Sequence, residues 1–265
     1  MHAFAIFVKT GISKTRNTLI FPVPNIYGIR SAIYSLTLIM VMSRFSFYCF
    51  LSYFSSLSGI FACTAKKLVI EKTSEPKSLP AMEGLAFGRH FSDHMLEADW
   101  ESESGWGAPH IKPFGDLAIS PAAMSLHYAV ECFEGMKAYK DANGVIRLFR
   151  PDCNVGRLND SLDRLHLPRV DIDNFVEALG SLLKLDERWI PTGDGYSLYL
   201  RPTVIATDPY LGVGVANKAK FYVITCPVGP YYPTGFKPIK LLADAENVRA
   251  WPGGCGASKV SSRLF

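Results

Sequence analysis

Lys259 ends a run of small residues, Gly253-Gly254-Cys255-Gly256-Ala257-Ser258. A lysine amine can form a Schiff base with a carbonyl cofactor, and small neighbours let a flat ring approach the backbone closely. Two arginines have the type to accompany it. Arg157, in "NVGR", could clamp a phosphate, although a solvated helical arginine is the plainer reading. Arg201, in "LYLRPT", lies among aliphatic strand residues, where a cation requires a partner. Tyr128, Tyr199 and Tyr231 could line a site, or fill a core as strand aromatics commonly do.

Other chemistries have less support. Six cysteines, Cys49, Cys63, Cys132, Cys153, Cys226 and Cys255, are scattered without CxxC spacing, so neither a zinc site nor a redox pair is indicated. His90 and His94 stand four apart, but "FSD" between them lacks the glutamate of a zincin helix, and both read as structural.

The elements that must position these residues follow from pattern. "ECFEGMKAYK" and "VIRLFR" flank Asp141-Ala142-Asn143-Gly144, whose Asn-Gly pair favours a hairpin. Pro151 suits a helix's first turn, and Val155, Leu158, Leu162 and Leu165 recur at helical spacing until Pro168. A second helix, capped by Asp171 or Asp173, carries Phe175, Val176, Leu179, Leu182 and Leu183 on one face. "YSLYLRPTVIA", "AKFYVITCPVG" and "IKLLADAENVRA" are three further strand candidates. This order predicts an α+β domain, with "PTGFKP" as a hinge into a second unit.

With 265 residues, 48% apolar and 20% charged, the chain has the composition of a globular protein. Its net charge of +4 is concentrated at one end, because no Asp or Glu precedes Glu71. That distribution argues against a nucleic-acid surface. Residues 1–70 read as a leader, with three readings open: a mitochondrial transit peptide, a signal anchor, or an upstream extension without a role in the fold. Residues 71–84, with Pro76 and Pro80, read as a linker.

Taken together, "SLHYAVECFEGMKAYK", "IRLFRPDCNVGRL", "SLYLRPTVIATD", "CPVGPYY" and "VRAWPGGCGASK" resemble, in order and spacing, the branched-chain aminotransferases of the fold-type IV, pyridoxal-phosphate-dependent class. The resemblance runs from about Leu85 to Lys259. It implies a small domain over 85–233, and a hinge with the beginning of a large cofactor-binding domain over 234–265. It also implies transamination of leucine, isoleucine and valine with 2-oxoglutarate, and a homodimer. The cofactor implied is pyridoxal 5'-phosphate, with Lys259 as its covalent anchor and proton shuttle, Arg157 on its phosphate and Arg249 beside it. Tyr128, Tyr199 and Arg201 match substrate-site residues, the arginine and tyrosine receiving the side-chain carboxylate of glutamate. Phe87, Phe133, Tyr199 and Tyr231 match apolar walls. Glu134 and Lys137 of "FEGMK" are expected to form a structural surface ion pair.

Relatives in this family usually continue after the lysine with a stretch close to "KLGGNY", whereas this chain reads "KVSSRLF". The expectation is a chain cut just after the cofactor lysine, its small domain complete and its large domain only begun. Alternatives to an active aminotransferase are a catalytically dead isoform that docks on full-length subunits, or another class-IV aminotransferase. The compartment expected is mitochondrial, with cytoplasmic as the alternative.

Overall fold

Long apolar runs make the two longest strands. In the computed structural model, which describes residues 68–230, 237–243 and 250–261, β8 (Ser197–Ala206) and β9 (Lys218–Val228) pair antiparallel over ten residues, from Ser197↔Val228 to Ala206↔Ala219. Around them the described residues form a single sheet. Its other strands are β1 (Val69–Ile70), β2 (His94–Glu101), β3 (Gly105–Trp106), β4 (His110–Pro113), β5 (Glu131–Phe133), β6 (Met136–Lys140) and β7 (Ile146–Leu148). The order is β1-β4-β2-β9-β8-β6-β7, with β3 on β2 and β5 on β8. Of these pairings only β1 with β4 is parallel.

Among the described residues three α-helices accompany the sheet: α1 (Met124–Tyr128), α2 (Pro151–Leu165) and α3 (Ile172–Leu185). Pro151 occupies the start of α2, and His166 ends it in the left-handed conformation at φ 53°. Of the two candidate caps of α3, Asp171 does the work, its carboxylate accepting Asn174 N–H. Such a cap is worth about 1 kcal/mol. The buried Leu179, Leu182 and Leu183 each contribute roughly 1.5–3 kcal/mol, so packing against the sheet outweighs the cap in holding α3. Asn159 pins the connection between α2 and α3, donating to Val170 O and accepting from Val170 N.

The hairpin of β6 and β7 closes at 141–145, with Asp141 N–H donating to Val145 O. Of the Asn-Gly pair, Gly144 alone takes positive φ, 77°, while the Asp141 carboxylate receives the amides of Asn143 and Val145.

Three differences from the pattern reading stand out. "ECFEGMKAYK" is two strands, although register continues unchanged from Phe133↔Thr203 to Met136↔Leu200. The break lies opposite Pro202. Glu134 N–H donates to Pro202 O, but proline has no N–H to return the bond, so the ladder lapses there. Secondly, residues 68–77 are laced to the sheet: Val69 and Ile70 pair with β4, Glu71 N–H donates to Ile111 O, and Thr73 N–H donates to His94 Nε2. Short polar segments show no periodicity, which hid this. Thirdly, the described part of "IKLLADAENVRA" is not a strand. Leu241 and Leu242 are exposed, and no neighbouring strand pairs with them among the described residues.

His94 is structural, as the residues between it and His90 suggested. Its Nδ1 lies 2.6 Å from Asp186 Oδ1, with both side chains buried. Residues 1–67, which carry the leader and its three readings, lie outside the described residues. Among the described residues no helix is long and apolar enough to cross a membrane.

Candidate active site

Where the ladder lapses at Pro202, two faces of the sheet become available to one cleft. Strand alternation puts Phe133 and Lys137 on the same face as Tyr199 and Arg201, and turns Glu134 toward α2. Gly135 sits between them. A Cβ there would stand 2.5 Å from Tyr199 Oη, so the glycine is what admits the tyrosine.

Lys259 reaches this place from the far end of the chain. Its N–H donates to Ser161 Oγ on α2 at 2.9 Å, and its carbonyl accepts Phe133 N–H at 3.2 Å. Val260 bridges Cys132 beside it. The backbone of Lys259 is thus held on two sides while its side chain is exposed, with Nζ 4.7 Å from the Phe133 ring centroid. Glu134, Gly135, Arg157, Ser161, Tyr199 and the stretch Gly256 to Lys259 line a cleft of about 620 Å³.

Arg157 stands on the wall of that cleft. Its Nε and Nη2 donate to the two oxygens of Glu134 at 3.0 and 2.9 Å. Glu134 is 3% exposed, and its hydrogen bond pushes the guanidinium further above its already high value. This corrects the expected surface pair, because Glu134 bonds Arg157, Asn154 and its neighbour Gly135 N–H rather than Lys137. Lys137 is exposed on the other face.

Arg201 finds its partners in aromatic rings. Its Nε donates to Tyr199 Oη at 3.0 Å, and its Cζ lies 4.3 Å from the Phe133 ring and 5.3 Å from that of Tyr199. Phe87 packs edge-on against Tyr199 at 4.9 Å. Beyond Tyr199, a smaller pocket of about 140 Å³ is lined by Phe87, Phe91, Tyr199, Arg201, Ile224 and Cys226. Tyr199 is therefore the partition between a polar cleft and an apolar pocket.

Of the residues singled out from sequence, Lys259, Arg157, Tyr199, Arg201, Phe133 and Phe87 come together. Tyr128 does not join them. It is 41% exposed at the end of α1, and its hydroxyl donates to Leu211 O. Tyr231 and Arg249 lie outside the described residues. Ser161, Gly135 and Asn154 escaped sequence reasoning. Ser161 falls on the helix next to Leu162 and carries no pattern of its own, whereas Gly135, a glycine inside a strand-like run, was a signal that the backbone is closely approached there.

The set fits a flat, anionic carbonyl compound. Lys259 is an amine at one end of the cleft, Arg157 a cation on its wall with N–H groups to spare, and residues 256–258 are small enough for close approach. Glu134 is the acidic residue lining the cleft, and it is committed to Arg157.

No family profile matches the chain. Curated relatives do. The chain is 55% identical over 197 residues to the branched-chain-amino-acid aminotransferase of Dictyostelium discoideum, covering 74% of this chain and 52% of the relative. It is 47% identical over 207 residues to the cytosolic branched-chain-amino-acid aminotransferase of Saccharomyces cerevisiae, covering 78% and 54%. With the mitochondrial enzyme of that yeast it shares 47% over 198 residues, covering 75% and 50%. The chain thus spans about half the length of these relatives. The solved branched-chain aminotransferase of Thermoproteus uzoniensis with norvaline overlaps 51% of this chain and 42% of its own at 19% identity and a TM-score of 0.40, too slight to carry weight. On the strength of the curated relatives, this chain belongs to the branched-chain-amino-acid aminotransferase family.

Proposed function

We propose that this chain carries the small-domain part of a pyridoxal-phosphate-dependent aminotransferase. Its substrates would be leucine, isoleucine and valine, with 2-oxoglutarate as amino acceptor, giving branched-chain 2-oxo acids and glutamate. The observation that carries this reading is that Lys259 and Arg157, 102 positions apart in sequence, line one cleft. Pyridoxal phosphate, when bound, supplies the electron sink that lets an amino acid lose its α-proton. The chain's own residues would do the rest. Lys259 Nζ anchors the cofactor and then holds the moving proton, while Arg157 grips the phosphate with its unused N–H groups. The Phe133 ring lies beneath the Lys259 ammonium and the Arg201 guanidinium and would shield both from water on that side. A branched side chain would fill the apolar pocket beyond Tyr199, and Arg201 at its wall would receive the second carboxylate of glutamate. Arg249 and Tyr231 would complete the cofactor and substrate walls.

A homodimer is the assembly we propose. Leu126, Tyr128, Leu211 and Val213 are all exposed, and a hydrogen bond brings Tyr128 beside Leu211, leaving apolar surface that a partner could cover. The same surface favours a second reading, in which the chain docks on full-length subunits without catalysing. Co-purification with such a subunit and a fall in its activity would support that reading. The compartment we propose is mitochondrial, on the acid-free residues 1–70. A fusion of those residues that stays diffuse in the cytosol would remove it.

The function is tested by incubating the chain with pyridoxal phosphate, reducing with borohydride and mapping the label. Stoichiometric label at Lys259 is expected. Label scattered over surface lysines would overturn the reading.

A further inference from the structure

Arg157 is held before any ligand arrives. Its fork meets a carboxylate that is itself immobilised: Glu134 is buried, its N–H is tied to Pro202 O, and its Oε2 also receives Asn154 Nδ2 at 3.1 Å and Gly135 N–H at 3.2 Å. Asn154 in turn bonds Gly135 O at 3.0 Å. A guanidinium has five N–H donors, and two of them meet Glu134. The remaining three, both on Nη1 and one on Nη2, have no partner among the described residues. The Arg157 side chain is 57% exposed, whereas that of Glu134 behind it is 4% exposed.

From this we propose that Glu134 is a positioning residue. It fixes the plane of Arg157 so that the free edge of the guanidinium faces the cleft of Lys259, ready for the phosphate of a carbonyl cofactor. The inference rests on the reading of Arg157 as a phosphate-binding residue. A free arginine would lose side-chain entropy on each binding event, roughly 2 kcal/mol for its full rotamer freedom. Here folding has already met that cost. Glu134 sits behind the fork and its oxygens already accept four donors, so an anion in the cleft meets the N–H edge of Arg157 and not the carboxylate.

The test compares pyridoxal phosphate with pyridoxal, which differs by the phosphate alone, binding to the full chain and to Glu134→Gln and Arg157→Ala. Affinities are read from borohydride-fixed label at Lys259 across a concentration series, with Tm recorded for each variant. In the unsubstituted chain the phosphate should strengthen binding, and Arg157→Ala should abolish that preference. If it does not, the reading of Arg157 itself fails. Glu134→Gln should lower the phosphate preference about tenfold, the worth of one charge-assisted hydrogen bond, with pyridoxal affinity unchanged. Parallel weakening of both ligands, or no change in the preference, overturns the positioning role.

Should Glu134→Gln not fold, the unsubstituted chain decides. The Arg157 Nε–H signal in a nitrogen-proton correlation spectrum should be present without ligand and stay protected when pyridoxal phosphate is added. Its loss on addition would mean that Arg157 abandons Glu134 to bind, and the proposal falls.

Discussion

Gly135, in the break between β5 and β6, lies so close to Tyr199 on β8 that a single methyl group on the glycine would stand 2.5 Å from the tyrosine hydroxyl. The same hydroxyl accepts Arg201 Nε–H, so the glycine governs an arginine it does not touch. Gly135→Ala should push Tyr199 aside and free Arg201. Overpacking of this kind costs about 1–3 kcal/mol, here relieved by a ring that is only half-buried. The expected outcome in an enzyme carrying this domain is a rise in KM for glutamate larger than the fall in kcat, with a small change in Tm. An unchanged KM would disprove the link.

Ser161 receives Lys259 N–H and donates to Arg157 O one turn back on α2. Ser161→Ala removes the acceptor and leaves the Lys259 amide unpaired, a loss of about 1 kcal/mol. Slower borohydride-fixed labelling at Lys259 is expected, with labelling of surface lysines such as Lys184 unaffected. Peptide mapping of both sites in one sample reads the difference.

Asp93 makes the domain acid-sensitive. Burial alone would raise its carboxyl, but hydrogen bonds from Trp189 Nε1, Lys77 N–H and Arg188 outweigh that and hold it below the usual carboxylate range. A depressed folded value means that the stabilisation is fully present above the unfolded value of about 4 and is lost as pH falls through the folded value. Tm should therefore drop below about pH 4 in the unsubstituted chain. In Asp93→Asn, Tm should already be lower at neutral pH and vary less across the acid range. Parallel curves for the two proteins would count against Asp93.

Cys132 should be inert in the folded chain. Burial pushes its thiol up to about 12, with Glu131 and Glu134 acting in the same direction. Iodoacetamide at pH 8 should spare Cys132 and modify the half-buried Cys153, since the thiolate is the reactive form. Equal modification in urea would show that the protection belongs to the fold.

Much of this architecture was legible in the residue order. Leu158, Leu162, Leu179 and Leu182 repeat at helical spacing and are buried, Pro151 opens its helix, and the runs around Leu200 and Val223 form the long strands. What escaped was whatever depends on a neighbour across the sheet. The split at Glu134 is caused by Pro202, 68 positions later, and no local pattern reports a missing donor on another strand. Glu134 next to Lys137 looked like a surface pair for the same reason, because its true partner arrives on α2. Tyr128 matched a motif, yet α1 carries its side chain to the loop of Leu211 and away from the Lys259 cleft.

Residues 69–71 run along the outer side of β4, and the chain beyond is fastened at Thr73 to the His94 side chain and at Lys77 to that of Asp93. An uncovered outer strand offers its amides and carbonyls to any chain that passes, and two such margins can zip together into aggregates. This ribbon of polar sequence acts as a selvedge, finishing the sheet's margin so that it cannot unravel or stick. A deletion that stops at residue 67 leaves the selvedge in place. One that runs on to residue 84 would cut it off and leave Ile111 and its neighbours as a ragged, adhesive hem.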